Sequence, residues 1–169
     1  SVQSELERHI QNQRAERIQD YSNVPDEYII EAQNFQKRCE NDPNYYEHYD
    51  CRCLGVKYLD QRMQQGEFAP ASNLELFITT MCQDEVAAAG FAYRQCSENP
   101  NLAPENIGLD QYCECFSNAY AKMFVALKQP YTSALSTDLQ TKSVLACTPY
   151  VDPMAAIQEY RAANTDQFR

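Results

Sequence analysis

The amino-acid sequence predicts an all-α protein, a tandem duplication of a disulfide-stapled three-helix unit with an extra N-terminal helical arm and a C-terminal helix. Three observations predict it. The chain of 169 residues carries eight cysteines in two sets of one design: Cys39, Cys51, Cys53, Cys82 and Cys96, Cys113, Cys115, Cys147. Each set reads Cys, gap, Cys-x-Cys, longer gap, Cys, which is the signature of an internal repeat. The sequence around the landmarks repeats as well: Cys39-Glu-Asn-Asp-Pro-Asn answers to Cys96-Ser-Glu-Asn-Pro-Asn, and Tyr49-Asp-Cys-Arg-Cys-Leu to Gln111-Tyr-Cys-Glu-Cys-Phe. Between the landmarks, apolar residues recur at helical spacing. The expected parts are the arm at 1–23, a first unit at 24–83 and a second unit with the C-terminal helix at 84–169.

The arm is strongly polar, with a thin apolar line at Val2, Leu6, Ile10 and, less regularly, Ile18. That line is too narrow for a core. Two readings are open: a solvated helix supported by Glu7 and Glu16 with nearby arginines, or an element that docks on another protein through Val2, Leu6 and Ile10.

In the first unit a helix is expected from Pro25 to Cys39. The Cys-x-Cys segment follows as a second helix, because Cys51, Leu54, Tyr58 and Leu59 fall on one face, and Gln65-Gly66 ends it. Ser72-Asn-Leu-Glu has the form of a capping box, in which the hydroxyl accepts from an exposed N–H and the acid three residues on reaches back. A third helix is expected to start there and to bury Leu74, Phe77, Ile78, Met81 and Cys82.

The second unit repeats the scheme. A helix over Asp84 to Cys96 connects the two, Cys113, Phe116, Tyr120 and Phe124 mark the next, and Gln129-Pro130 is its expected stop. Thr137-Asp-Leu-Gln is a second apparent capping box leading to Cys147. There Lys142 and Ser143 stand where the first unit has Phe77 and Ile78, so the buried face must be rotated or smaller. Asp152-Pro153, a capping residue before a proline at the first helical position, opens a final helix ending near Ala163. It reads as a third copy broken off after its first helix.

Residues i and i+2 on a helix point roughly 200° apart, so the two sulfurs of a Cys-x-Cys cannot reach the same neighbour or easily bond each other. One of Cys51 and Cys53 is expected to meet Cys39 and the other Cys82; Cys113 and Cys115 relate to Cys96 and Cys147 in the same way. Of the three pairings four cysteines allow, this removes one and leaves two, with bridges between units as a rival. Four bridges would each contribute about 2 to 4 kcal/mol.

The cysteines place the chain in an oxidising, extracytoplasmic compartment: most naturally a bacterial periplasm after removal of a signal peptide, with an extracellular or mitochondrial intermembrane setting as the alternative. No transmembrane segment is expected, since the longest apolar runs fall far short of the roughly 20 residues a bilayer needs. The net charge of −10 and the lack of a basic patch argue against nucleic acid. Zinc sites commonly use Cys-x2-Cys in a turn, whereas these helical pairs diverge, so no metal is expected. Four glycines leave no phosphate loop, and the two histidines, His9 and His48, form no catalytic motif. His48, within Tyr45-Tyr-Glu-His-Tyr, is read mainly as part of an aromatic loop packed over a helix junction, and secondarily as lining for a small binding surface. No cofactor or catalytic residue is assigned. The expected function is a non-catalytic structural or interaction protein, an accessory subunit of an envelope or secretion-type assembly. The alternative is a secreted carrier of a small apolar ligand.

Overall fold

The computed structural model describes residues 1–8, 23–148 and 153–163. They are all-helical, with α1 over residues 2–8, then α2 (Asp26–Asn41), α3 (Pro43–Tyr46), α4 (Cys51–Gln65), α5 (Ala71–Ile78), α6 (Glu85–Ser97), α7 (Leu109–Val125), α8 (Ser133–Cys147) and α9 (Pro153–Ala163). Among the described residues the only strand-like pairing is an isolated antiparallel bridge between Tyr49 and Gln83.

Local chemistry explains most of the boundaries. Asp50 caps α4 by accepting from the Cys53 N–H at 3.0 Å, and Asp84 caps α6 by accepting from the Ala87 N–H at 3.0 Å. Both satisfy donors that a helix start leaves open. Gly66 closes α4 at φ 82°, where a side chain would be strained. The two expected capping boxes fail as starts. α5 begins at Ala71, behind Pro70, with no side-chain cap. α8 begins four residues before Thr137, because Thr132 accepts from the Leu135 N–H at 3.2 Å and offers an earlier cap. Thr137 lies inside the helix, donating to the Ser133 carbonyl at 3.2 Å. α7 likewise stops at Val125, ahead of Gln129-Pro130. The cap expected at Asp152 lies outside the described residues.

All four bridges stay within their own set of four. Cys39–Cys51 and Cys53–Cys82 staple the first half, Cys96–Cys113 and Cys115–Cys147 the second. In both halves the first cysteine of Cys-x-Cys takes the preceding cysteine and the second takes the following one. Their Cα atoms lie 5.5 to 5.9 Å apart, well inside the range an unstrained bridge accepts. Each Cys-x-Cys helix is thereby fixed on both sides, α4 to α2 and to the end of the α5 segment, α7 to α6 and to α8.

The expected apolar face of α5 is narrower than its pattern suggests. Leu74, Ile78 and Cys82 are buried, while Phe77 is 52 % and Met81 43 % exposed. α8 buries Leu139, Ser143 and Cys147 at the same spacing, so its face is smaller but not rotated. Ser143 fits there because its hydroxyl donates to the Leu139 carbonyl at 2.6 Å, which removes the penalty of an unpaired buried hydroxyl. α2 and α4 lie close at Gly55, where an added Cβ would come within 3.0 Å of the Gln36 Cβ.

Two buried side-chain atoms lack a hydrogen-bond partner among the described residues, one on Tyr112 and one on His48. The Tyr112 hydroxyl is enclosed with no hydrogen-bond partner among the described residues. Tyr112→Phe is therefore expected to raise stability by about 1 kcal/mol, since it deletes a desolvated group with no bond to lose. Urea denaturation checks this, and a loss above 1 kcal/mol would show a partner for the hydroxyl.

Candidate functional site

The two halves meet around a short stretch of the first half, residues 48–50. The Asp84 N–H, at the entry to the second half, donates to the His48 carbonyl at 2.9 Å, while inside the first half the Asp50 N–H donates to the Cys82 carbonyl at 2.9 Å. Those bonds hold the His48 side chain against the second half. Its ring centroid lies 4.5 Å from Phe91, 4.7 Å from Tyr131 and 5.1 Å from Phe124. Nε2 is 2.8 Å from the Tyr120 hydroxyl, which is 2.6 Å from that of Tyr131.

Aligning the two cysteine sets shows where the halves differ at this point. Setting Cys113 on Cys51 places Tyr120 at the position of Tyr58; setting Cys96 on Cys39 places Ala88 and Ala92 at those of Glu31 and Phe35. In the first half the Tyr58 hydroxyl donates to the Glu31 Oε1 at 2.6 Å, and Tyr58 stacks on Phe35 at 4.9 Å. In the second half the matching alanines offer neither a carboxylate nor a ring. His48 meets the Tyr120 hydroxyl instead.

Burial pushes the His48 imidazole down to about 4 and pushes the phenols of Tyr120 and Tyr49 well above their ordinary range. The His48, Tyr49 and Tyr120 side chains are therefore uncharged at neutral pH. Nδ1 of His48 is enclosed without a partner among the described residues. A histidine whose folded-state value is lowered takes up its proton more readily unfolded. Stability is unaffected by this group above pH 6.5, falls as pH drops from 6.5 towards 4, and loses roughly 3 kcal/mol across that window. The groups facing the ring are the phenols of Tyr120 and Tyr131 and the rings of Phe91 and Phe124, with no charge to offset protonation. Comparing urea midpoints at pH 7 and pH 4.5 for the native chain and His48→Gln checks this; equal acid losses in both would assign the effect elsewhere.

Beside His48 the seam opens into a groove of about 680 Å³. Its floor is aromatic, from Tyr45, Tyr49, Phe91 and Tyr131, and its rim carries Asp42, Glu47, Thr79 and the first turns of α8. Asp42 caps α3, accepting from the Asn44 N–H at 3.0 Å, and Glu47 pairs with Arg94 at 3.4 Å. These carboxylates are thus engaged with neighbouring protein groups.

A second polar cluster lies within the first half, around Arg62. Arg62, with its side chain only 6 % exposed, pairs with Glu31 at 2.7 Å and donates to the carbonyls of Gly66 and Ala69 at 3.0 and 2.6 Å. The guanidinium holds the Glu31 carboxyl below its usual range. Burial, followed by the bond to Glu31, pushes Tyr58 up to about 12. This cluster ties α2 and α4 to the loop after α4.

The structure pairs all eight cysteines. Val2 and Leu6 are exposed on α1 and do not line the groove, while Ile10 lies outside the described residues. His48 combines both roles read from its loop, packing over the junction and lining the groove. Phe91, Tyr131 and the start of α8 escape the sequence reading. The usable signal was the alignment of Tyr120 with Tyr58 together with Ala88 opposite Glu31, a buried tyrosine lacking its own partner.

Among the described residues no group of three His, Cys, Asp or Glu could hold a metal ion, and no helix is long and apolar enough to cross a membrane. The chain matches no protein-family model, no curated protein and no solved structure.

Proposed function

We propose that this chain is a non-catalytic structural and interaction protein of an oxidising extracytoplasmic compartment, an accessory subunit of a larger envelope or secretion-type assembly. The bacterial periplasm is its preferred setting, with an extracellular or intermembrane space as the alternative. The compartment rests on four disulfides. The interaction role rests on one observation: Leu76, Phe77 and Met81 are 57 %, 52 % and 43 % exposed and share one shallow depression with Lys128 and Pro130 of the second half. Contiguous exposed apolar side chains of this kind mark contact surfaces more often than isolated ones do. The arm adds Val2 and Leu6, also exposed.

Two paired variants test the reading, Phe77→Asp with Met81→Asp and Leu6→Asp with Ile10→Asp, each expressed in the native compartment. Loss of co-purifying protein from either pair, with all eight thiols still protected from alkylation, is the expected result. Unchanged co-purification in both pairs would sink the proposal.

A carrier of a small apolar ligand is the second reading, and the groove beside His48 is the observation in its favour. The exposed hydroxyls on the groove rim count against an apolar guest, because covering them would take away water without supplying a new partner. Mass spectrometry of gently purified protein would reveal a retained lipid if this reading held.

A further inference from the structure

We infer that the groove between the two halves is a binding site for a neutral, polyhydroxylated ring, a short saccharide. It goes beyond the interaction role and does not depend on it. The volume of about 680 Å³ lies within the range of sites that take small molecules.

The chemistry of the lining selects the class of guest by elimination. Among the described residues no lysine or arginine lines the groove and burial keeps His48 neutral, so an anion would meet only the α8 N-terminus, with the Asp42 and Glu47 carboxylates on the same lining to repel it. A cation fares little better. One oxygen of Asp42 already accepts from the α3 backbone, Glu47 faces Arg94, and α8 begins at the rim with the partial positive end of its dipole. An apolar guest would cover hydroxyls that need water or a partner. A neutral guest with both an apolar face and many hydroxyls meets none of these objections.

What remains on the walls suits such a guest. Tyr45, Phe91 and Tyr131 are only partly buried and offer aromatic surface on which a ring can lie. Above them, Ser133, Ser136 and Thr137 bring three hydroxyls from successive turns of α8, and Asn44 brings an amide. A hydroxyl both donates and accepts, and the amide does the same with separate atoms; the Ser136 hydroxyl already accepts from the Gln140 amide at 3.2 Å, so a ligand would use what capacity it has left. The Thr137 hydroxyl already donates to the Ser133 carbonyl, leaving its lone pairs for a ligand hydroxyl. The buried chain from Tyr131 through Tyr120 to His48 fixes the floor, so little ordering would be required on binding.

Isothermal titration of the intact, oxidised protein tests this with maltotriose, cellotriose and triacetylchitotriose, each raised to about 10 mM so that a dissociation constant near 1 mM would register. Spermidine, inorganic phosphate and laurate serve as cationic, anionic and apolar probes. Ser133→Trp and Thr137→Trp, both on the exposed first turns of α8, fill the groove from its rim without touching the core. Far-UV circular dichroism and thiol protection establish that a variant is folded. The expected result is saturable binding of at least one trisaccharide, weakened at least tenfold by one or both folded variants. No binding by any trisaccharide, binding that neither variant weakens, or binding of the charged or apolar probes alone would overturn the inference.

Discussion

Reduction of the four disulfides is expected to unfold this chain at room temperature without added denaturant. The bridges close segments of 12, 29, 17 and 32 residues, and chain entropy assigns each a contribution of about 3 to 4 kcal/mol. Together they rival the whole stability of an ordinary domain, about 5 to 15 kcal/mol. The structure shows why no other feature replaces them. α5 buries only a narrow line of side chains, and the α8 face includes a serine. Losing Cys53–Cys82 or Cys115–Cys147 should cost most, because they close the longest segments and hold those two thin faces. Helix content followed by circular dichroism against dithiothreitol, with paired Cys→Ser variants for each bridge, measures this. Native-like helix content and a cooperative thermal transition after full reduction would show that packing alone suffices.

Arg62→Ala is expected to cost about 2 to 4 kcal/mol, less than for a fully buried ion pair because the Glu31 side chain keeps 35 % of its surface in water. For a chain of this size that lowers the melting temperature by roughly 10 °C. The loss has two parts. Glu31 and Tyr58 lose the cation that organises them, and the Gly66 and Ala69 carbonyls lose their donor. Arg62→Lys should recover only part, since an ammonium cannot reach Glu31 through two nitrogens and the loop carbonyls through a third. Glu31→Leu combined with Arg62→Met should lose less than Arg62→Ala, because no charge is left alone. The second half already carries apolar residues at these positions, Ala88 and Phe124. Equal losses in the double variant and in Arg62→Ala would place the energy in the loop carbonyls, and scanning calorimetry separates the outcomes.

The groove was only half legible from sequence. His48 and its tyrosines stood out as an aromatic loop, but the surface they meet comes from Phe91 on α6, Tyr120 and Phe124 on α7 and Tyr131 just before α8, all more than 40 residues from His48 along the chain. Nothing in local spacing says which helices close on a loop. The expected burial of Phe77 and Met81 failed for a related reason. Periodicity identifies the face that is apolar, whereas the number of neighbours decides how much of it is covered. The expected box at Thr137 failed because a capping motif records a competence shared by several hydroxyl residues, and Thr132 came first.

The helical class, the two cysteine sets, the helix running from Asp84 and the confinement of each Cys-x-Cys to two different neighbours are already set by the order of residues. All of these follow from short-range rules of periodicity, capping and side-chain direction, which act over one or two helical turns. Which sulfur of each pair faces which helix, the ion pair of Glu31 with Arg62 and the docking of His48 on Tyr120 are settled in the packed fold. Those depend on distances between segments far apart in the chain, and they are fixed by which buried polar atoms can find a partner once the helices have packed.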